Sequence, residues 1–339
     1  MELEKLKQEL LNINLDYLDK INIPDYEFGL EIEFAGAVFT SVMQKLDEVL
    51  KYNSKDITEL RQIEKDKEEY KKWRLVNDGS VQSNAWHRAK KGGEINSPIM
   101  KDRKKYWKEL KKVCEMLRKR EYINISDNCS VHIHTNREIY DELEEFKNLV
   151  KLWIIYEDII YRFGYGEKDI YRPSLLNYAK PLSSSFTTPT DELLIELENV
   201  ETKQQLLRLL SYERKYGLNL TNITKEPIRK DDIIKPTIEI RIYNGTLNEN
   251  IIQNDVRFNM NLLNYAKKEN FDKEFIDYKI KNFKRNFIND SIFENPEIVD
   301  EFSKLIFKDE LDRLKFLKQY YKVYNEFDIE KSIHLWYYH

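Results

Sequence analysis

Three short stretches of the chain alternate aliphatic and chemically active side chains with a period of two. They are Leu30-Glu31-Ile32-Glu33-Phe34, Val131-His132-Ile133-His134 and Ile238-Glu239-Ile240-Arg241-Ile242. In a β-strand, residues i and i+2 project from the same face. Each stretch therefore predicts a strand with one greasy face and one face of carboxylates, imidazoles or a guanidinium. A half-solvated antiparallel strand alternates as well, but such faces ordinarily carry Thr, Lys or Ser. Three faces of this kind point to one sheet, apolar behind and charged in front. Neighbouring carboxylates such as Glu31 and Glu33 repel one another, so that face calls for a cation.

The rest of the chain supplies helices and one hairpin. Leu3, Leu6, Leu10 and Leu11 have helical spacing, in a segment closed by Pro24, and residues 38–50 read as a short helix. Residues 53–72 are rich in Lys, Glu and Asp with little apolar pattern and read as a solvated excursion. Residues 73–81 predict a strand ending in an Asn77-Asp78-Gly79 turn; Gly92 and Gly93 precede a returning strand with Glu94, which Pro98 ends. Tyr106, Leu110, Val113 and Leu117 mark an amphipathic helix over 101–119, and a long helix over about 141–163 buries Phe146, Val150, Trp153 and Ile154. Residues 171–189 read as a loop. A helix with Leu206, Leu207, Leu209 and Leu210 follows, and beyond Gly245 the pattern is helical, with Asn295-Pro296 opening one helix. The division expected is one unit over residues 1–266 and a helical C-terminal extension over 267–339 that covers the back of the sheet or forms a dimer contact.

Composition narrows the function classes. With 339 residues, 16 Phe and 22 Tyr, the chain can build a sizeable core. A formal net charge of −4 leaves no basic footprint, which argues against nucleic acid as a partner. Two cysteines, Cys114 and Cys129, are too few for a disulfide framework. The most apolar stretch, 149–163, is broken by Lys151, Glu157, Asp158 and Arg162, so no membrane span is expected. The N-terminus lacks the basic-then-apolar layout of a signal peptide, and the expected location is cytoplasmic.

The candidate face carries Glu31, Glu33, Glu94, His132, His134, Glu239 and Arg241. Carboxylates outnumber imidazoles, which suits Mg²⁺ or Mn²⁺ better than Zn²⁺. A zinc site from Cys129, His132 and His134 would leave the glutamate pairs unused. No glycine-rich phosphate loop of either common type occurs, so a bound nucleotide would be held by metals and basic side chains. Arg241 is the first candidate for a phosphate clamp, ahead of Arg172, Lys180, Arg214 and Lys215.

Six motifs in order carry a resemblance. They are Phe28-Gly29-Leu30-Glu31-Ile32-Glu33-Phe34, residues 73–80 ending Asn77-Asp78-Gly79-Ser80, Gly93-Glu94-Ile95-Asn96-Ser97-Pro98, Asn128-Cys129-Ser130-Val131-His132-Ile133-His134, Tyr216-Gly217-Leu218-Asn219-Leu220 and residues 237–245 around Glu239 and Arg241. Over about 25–266 the chain resembles the putative amidoligase family, which is grouped with glutamine synthetases and glutamate–cysteine ligases. The resemblance implies an α+β fold: a curved antiparallel β-sheet funnel of glutamine synthetase-like type, packed with helices. It implies ATP and two or more divalent metals, with Glu31, Glu33, Glu94, His132 and Glu239 as metal ligands. Glu31, His132, Glu239, Arg241, Lys180 and Asn219 would form the nucleotide site. Arg241 would act on the transferring phosphate, and Asp78 would receive the amine or its proton. The chain departs from the family at Ser130, where glycine is usual; a side chain there would narrow the approach of backbone to nucleotide.

The implied activity is an ATP-dependent carboxylate–amine ligase acting through an acyl phosphate, on small-molecule or peptide carboxylates and amines. The alternatives are a metal-dependent phosphodiesterase or hydrolase, and an inactive binding protein on the same fold. Arg241 beside Glu239 favours the ligase, and the intact acidic positions argue against an inactive fold.

Overall fold

The structure is a computed structural model that describes residues 3–37, 39–51, 72–77, 81, 91–119, 123–126, 128–185, 190–211, 213–224, 236–282, 296–326 and 328. The strands are β1 (Phe28–Ala37), β2 (Arg74–Asn77), β3 (Lys91–Asn96), β4 (Ser130–Asn136), β5 (Leu218–Asn219) and β6 (Thr237–Asn244). The helices are α1 (Leu3–Leu11), α2 (Phe39–Leu50), α3 (Lys104–Arg118), α4 (Leu143–Gly164), α5 (Leu175–Tyr178), α6 (Thr190–Glu198), α7 (Lys203–Leu209), α8 (Glu249–Tyr265), α9 (Lys273–Lys281), α10 (Pro296–Ile306) and α11 (Glu310–Tyr320). Among the described residues the strands form one open antiparallel sheet in the order β2-β3-β1-β4-β6-β5. The alternating stretches are thus adjacent central strands, and the expected hairpin is β2–β3. The excursion at 53–72 (apart from Lys72), Asp78 and Gly79 of the turn, and Asn295 lie outside the described residues.

One face of the sheet is apolar and covered by helices. Leu30, Ile32 and Phe34 of β1, Val131 and Ile133 of β4, and Ile238, Ile240 and Ile242 of β6 are all buried. Helix α4 packs on β6, α8 on β4, and α2 on β2 and α3. Gly164 lets α4 sit this close, because a Cβ there would meet Ile242 Cγ1 at 2.9 Å. In α3 the core stripe is Trp107, Leu110, Val113, Cys114 and Leu117. Tyr106, expected in that stripe, is only partly buried; Trp107 takes the core position and donates its indole N–H to Asp102 Oδ1 at 2.7 Å. The opening helix stops at Leu11, well before Pro24. The 171–189 stretch holds the short α5 and a 3-10 turn at Leu182–Ser185.

Helix α8 is buried on all sides although Asn248, Asn250, Gln253, Asn254, Asp255 and Asn259 lie on or beside it. Buried polar groups are tolerated when they are paired, and Asn248, Gln253, Asn254 and Asp255 are paired with distant parts of the chain. Gln253 exchanges hydrogen bonds with the Leu18 backbone at 3.0 and 2.7 Å. Gln319 of α11 accepts from Asn254 Nδ2 at 2.8 Å and donates to Asp255 Oδ1 at 2.7 Å. The C-terminal helices lie against the helices that back the sheet: α10 on α8, and α11 on α8, α4 and α1. Phe316 stacks with Phe163 at a centroid distance of 5.0 Å and with Phe258 at 5.5 Å, so residues on both sides of position 266 share one aromatic cluster. Leu311 of α11 is half exposed. Among the described residues no helix is long and apolar enough to cross a membrane.

The C-terminal segment is fastened by charge. Lys318 Nζ lies 2.8 Å from Asp328 Oδ2, both side chains fully buried, and also donates to the Leu10 carbonyl at 3.0 Å. Asp328 Oδ1 accepts from the Leu15 amide at 3.0 Å. Asp328→Ala should leave the Lys318 ammonium buried without its counter-ion and lower stability by about 3–5 kcal/mol in denaturant unfolding. A loss under about 1 kcal/mol would contradict this role.

Candidate metal centre

The antiparallel register stacks the charged positions across the sheet. Glu31 on β1 faces His132 on β4 and Asn96 on β3. Glu33 faces Glu94 on β3. His134 faces Glu239 on β6, which in turn faces Asn219 on β5. Like charges directly opposite are unfavourable, so the Glu33–Glu94 pairing demands neutralisation.

Glu31 bridges the two histidines. Its Oε2 lies 3.1 Å from His132 Nδ1 and its Oε1 lies 3.0 Å from His134 Nε2. Glu239 Oε1 is 3.8 Å from both His132 Nδ1 and His134 Nε2. His134 Nδ1 is 3.3 Å from Thr237 Oγ1, which orients that ring. His132, Glu33 and Glu239 are buried, and Glu31 is only partly accessible. Burial opposes ionisation of Glu31, yet the charges and hydrogen bonds of His134 and His132 hold its carboxyl well below the usual range. Burial likewise opposes ionisation of Glu239, and His134, Arg241 and His132 hold it down. Glu31, His132 and Glu239 each offer one ligand atom, all within 4.8 Å of one another. Two ionised carboxylates and an imidazole at this spacing fit a divalent cation of hard or borderline character.

A bulge in β6 sets the far side of the site. Val131 faces Tyr243 while Ile133 faces Ile240, so Arg241 and Ile242 together oppose His132. The bulge turns Tyr243 back toward the helices, where its hydroxyl donates to Asn259 Oδ1 at 2.7 Å. Arg172 braces the bulge: its guanidinium donates to the carbonyls of Arg241, Ile242 and Tyr243 at 2.8, 3.3 and 2.7 Å. Burial pushes Arg172 down to about 10 while the Glu33 carboxylate opposes the shift. Arg172 is therefore a buried structural cation, and not the phosphate ligand considered from the sequence.

Arg241 stands beside the carboxylates. Its Nη1 pairs with Glu239 Oε1, and its Nε donates to the Tyr178 carbonyl at 3.0 Å. Asn219 donates to Glu239 Oε2 at 2.6 Å while its Oδ1 accepts from Thr221, so its amide positions Glu239. Lys180 runs beside β5: Gly217 donates to its carbonyl at 2.8 Å, and its Nζ lies 3.5 Å from Glu213. Gly217 has no room for a Cβ, which would collide with the Tyr161 hydroxyl. That hydroxyl donates to the carbonyls of Ala179 and Lys180 and ties this loop to α4.

The register brings together Glu31, Glu33, Glu94, His132, His134, Glu239, Arg241 and Asn219. Glu33 and Glu94 lie outside the three-residue ligand group; Glu33 sits at the Nε2 edge of His132, 3.9 Å away. The zinc alternative is not assembled. Cys129 is buried, burial pushes its thiol up to about 12, and its sulfur pairs with Ser126 Oγ at 3.3 Å. Arg214 is exposed, and Asp78 lies outside the described residues. Sequence reasoning missed the Ser130 contact described below and the Thr237 contact to His134. Two-residue spacing signalled the first, since Ser130, His132 and His134 share a face.

Residues 24–263 match the family model described as putative amidoligase enzyme. The chain belongs to the amidoligase family. Membership supports a ligase activity in general, and the matched residues include every strand of the sheet. No curated protein and no solved structure matches the chain.

In this member of the family the loop beside Arg241 hangs on one buried acid. Glu157 Oε1 accepts from the Leu182 amide at 2.5 Å and from Trp153 Nε1 at 2.9 Å, and its Oε2 accepts from the Ser183 amide at 3.1 Å. Burial pushes Glu157 from 4.5 up to about 7, against those hydrogen bonds. Between these values the folded chain holds a proton that the unfolded chain has shed, so this group's contribution to stability falls as pH rises and levels off above 7. Glu157→Gln cannot titrate, so its stability relative to wild type should rise from pH 4.5 to 7, by up to about 1.4 kcal/mol per pH unit. A pH-independent difference in denaturant unfolding would contradict the buried, proton-holding state.

Proposed function

We propose that the chain is an ATP-dependent carboxylate–amine ligase that uses Mg²⁺ or Mn²⁺, built on a funnel of glutamine synthetase-like type. The observation that carries this reading is the group Glu31, His132 and Glu239 on one sheet face, its two carboxylates held ionised and Arg241 attached to one of them. Family membership favours a ligase over a phosphodiesterase or an inactive binding protein. We assign one divalent ion to Glu31, His132 and Glu239, and a second to the register partners Glu33 and Glu94. Such ions supply neutralisation of the phosphate oxygens during transfer.

The chain's own residues do the rest. A substrate carboxylate oxygen attacks the γ-phosphorus of ATP and ADP leaves; the amine nitrogen then attacks the acyl carbon, phosphate leaves, and the nitrogen gives up a proton. Arg241 donates to the equatorial oxygens of the transferring phosphoryl group through its planar fork. Reaching them requires exchange of its Nη1 contact with Glu239. Asn219 keeps Glu239 in place during that exchange. Lys180 lies at the same edge and holds the outer phosphates, and Asp78 takes the amine's proton. The substrates are a small-molecule or peptide carboxylate and an amine.

ATP with Mg²⁺ should stabilise the protein by about 2.7 kcal/mol at a hundredfold excess over Kd, seen as a raised Tm. Arg241→Lys keeps the charge but loses the fork. It should bind ATP near normally while acceptor-dependent ADP release, assayed with amino-acid and peptide mixtures, falls on the order of 10²-fold. Near-normal turnover would reduce Arg241 to a partner for Glu239, and a Tm unmoved by ATP and metal would overturn the ligase reading.

A further inference from the structure

Ser130 and His132 are two residues apart on β4, so their side chains share the charged face. The Ser130 hydroxyl lies 2.8 Å from His132 Nε2, and both residues are buried. The Ser130 amide donates to Glu33 Oε2 at 2.8 Å, which fixes that carboxylate along the same edge of the ring. Glu33 Oε1 stands 3.9 Å from Nε2, beyond hydrogen-bond distance, so Ser130 is the close partner of that nitrogen. The opposite nitrogen, Nδ1, faces Glu31 at 3.1 Å and Glu239 at 3.8 Å.

An imidazole that binds a metal gives one nitrogen lone pair to the ion and keeps its proton on the other, which needs an acceptor. Here the two nitrogens have different surroundings. Nδ1 looks into the carboxylate group, and Nε2 looks at a hydroxyl. We infer that Ser130 is a positioning residue for the metal site: its hydroxyl accepts the Nε2 proton of His132, locks the ring, and makes Nδ1 the ligand atom. A hydroxyl both donates and accepts. The Ser130 contact therefore survives whether the proton sits on Nε2, with an ion at Nδ1, or on Nδ1, toward Glu31. A side chain that only donates or only accepts would lose the contact in one of these states. The serine that the sequence suggested would crowd a nucleotide is turned onto His132 instead.

This inference rests on the metal assignment of the preceding subsection, and the test separates the two. Full-length wild type, Ser130→Ala and Ser130→Thr, labelled with ¹⁵N-histidine, are titrated with Mn²⁺ for affinity and with ¹¹³Cd²⁺ for one-bond coupling to nitrogen. In wild type the coupling should appear at Nδ1 of His132, with Nε2 protonated. Ser130→Ala should bind Mn²⁺ about 10-fold to 100-fold more weakly, and Ser130→Thr, which restores a hydroxyl, should recover most of that affinity. A merely structural serine would change the metal-free Tm and leave Mn²⁺ affinity alone. Coupling at Nε2, or an alanine variant that binds Mn²⁺ as tightly as wild type, overturns the role of Ser130. So does a threonine variant that melts like wild type yet binds Mn²⁺ like the alanine variant. Wild-type protein that takes up neither ion brings down the metal assignment itself, and the inference with it.

Discussion

Burying carboxylates of like charge on one face of a sheet costs free energy that nearby hydrogen-bond donors and cations must offset. Glu31, Glu33 and Glu239 share such a face, with Glu94 opposite Glu33. The protein answers with His132 and His134 on the next strand, Arg241 on the one after, and Arg172 beneath the β6 bulge. These partners keep Glu31 and Glu239 ionised despite burial. The arrangement is poised rather than closed, since Glu239 Oε1 is shared between Arg241 and the histidine edge. A divalent cation would concentrate positive charge where the carboxylates converge and free Arg241 to reach a phosphate.

Such a face needs a rigid backing. The sheet rests on α4 and α8, and α8 is held by polar contacts to Leu18 on one side and to Gln319 and Asp328 on the other. The residues beyond the family match thus grip the helix that lies behind His132 and His134. Loosening them would let β4 shift against β6, and the distances from Glu239 to both imidazoles depend on that register.

The central strands were legible because their chemistry alternates. In β1, β4 and β6 the period of two separates aliphatic from ionisable side chains, and the turn residues marked β2–β3. The two-residue β5 has no pattern of its own; it exists because Asn219 pairs with Glu239. The burial of α8 was hidden because Gln253, Asn254 and Asp255 find partners far away in sequence. Arg172 read as a candidate phosphate ligand for the same reason, since the bulge carbonyls that it braces are about 70 residues downstream. Trp107 displaced Tyr106 from the core because Asp102 gives its indole N–H a buried partner. The site residues on the three alternating strands could be read singly, but their convergence on Glu31 follows only from register.

The central claim is that this face holds a divalent cation between Glu31, His132 and Glu239. Anomalous diffraction at the manganese edge, from crystals of the full chain grown with Mn²⁺, tests it most directly. A peak should lie within coordination distance of both carboxylates and His132 Nδ1, with Arg241 displaced from Glu239 Oε1. A face without a peak at saturating Mn²⁺, with the Arg241–Glu239 pair intact, would contradict it.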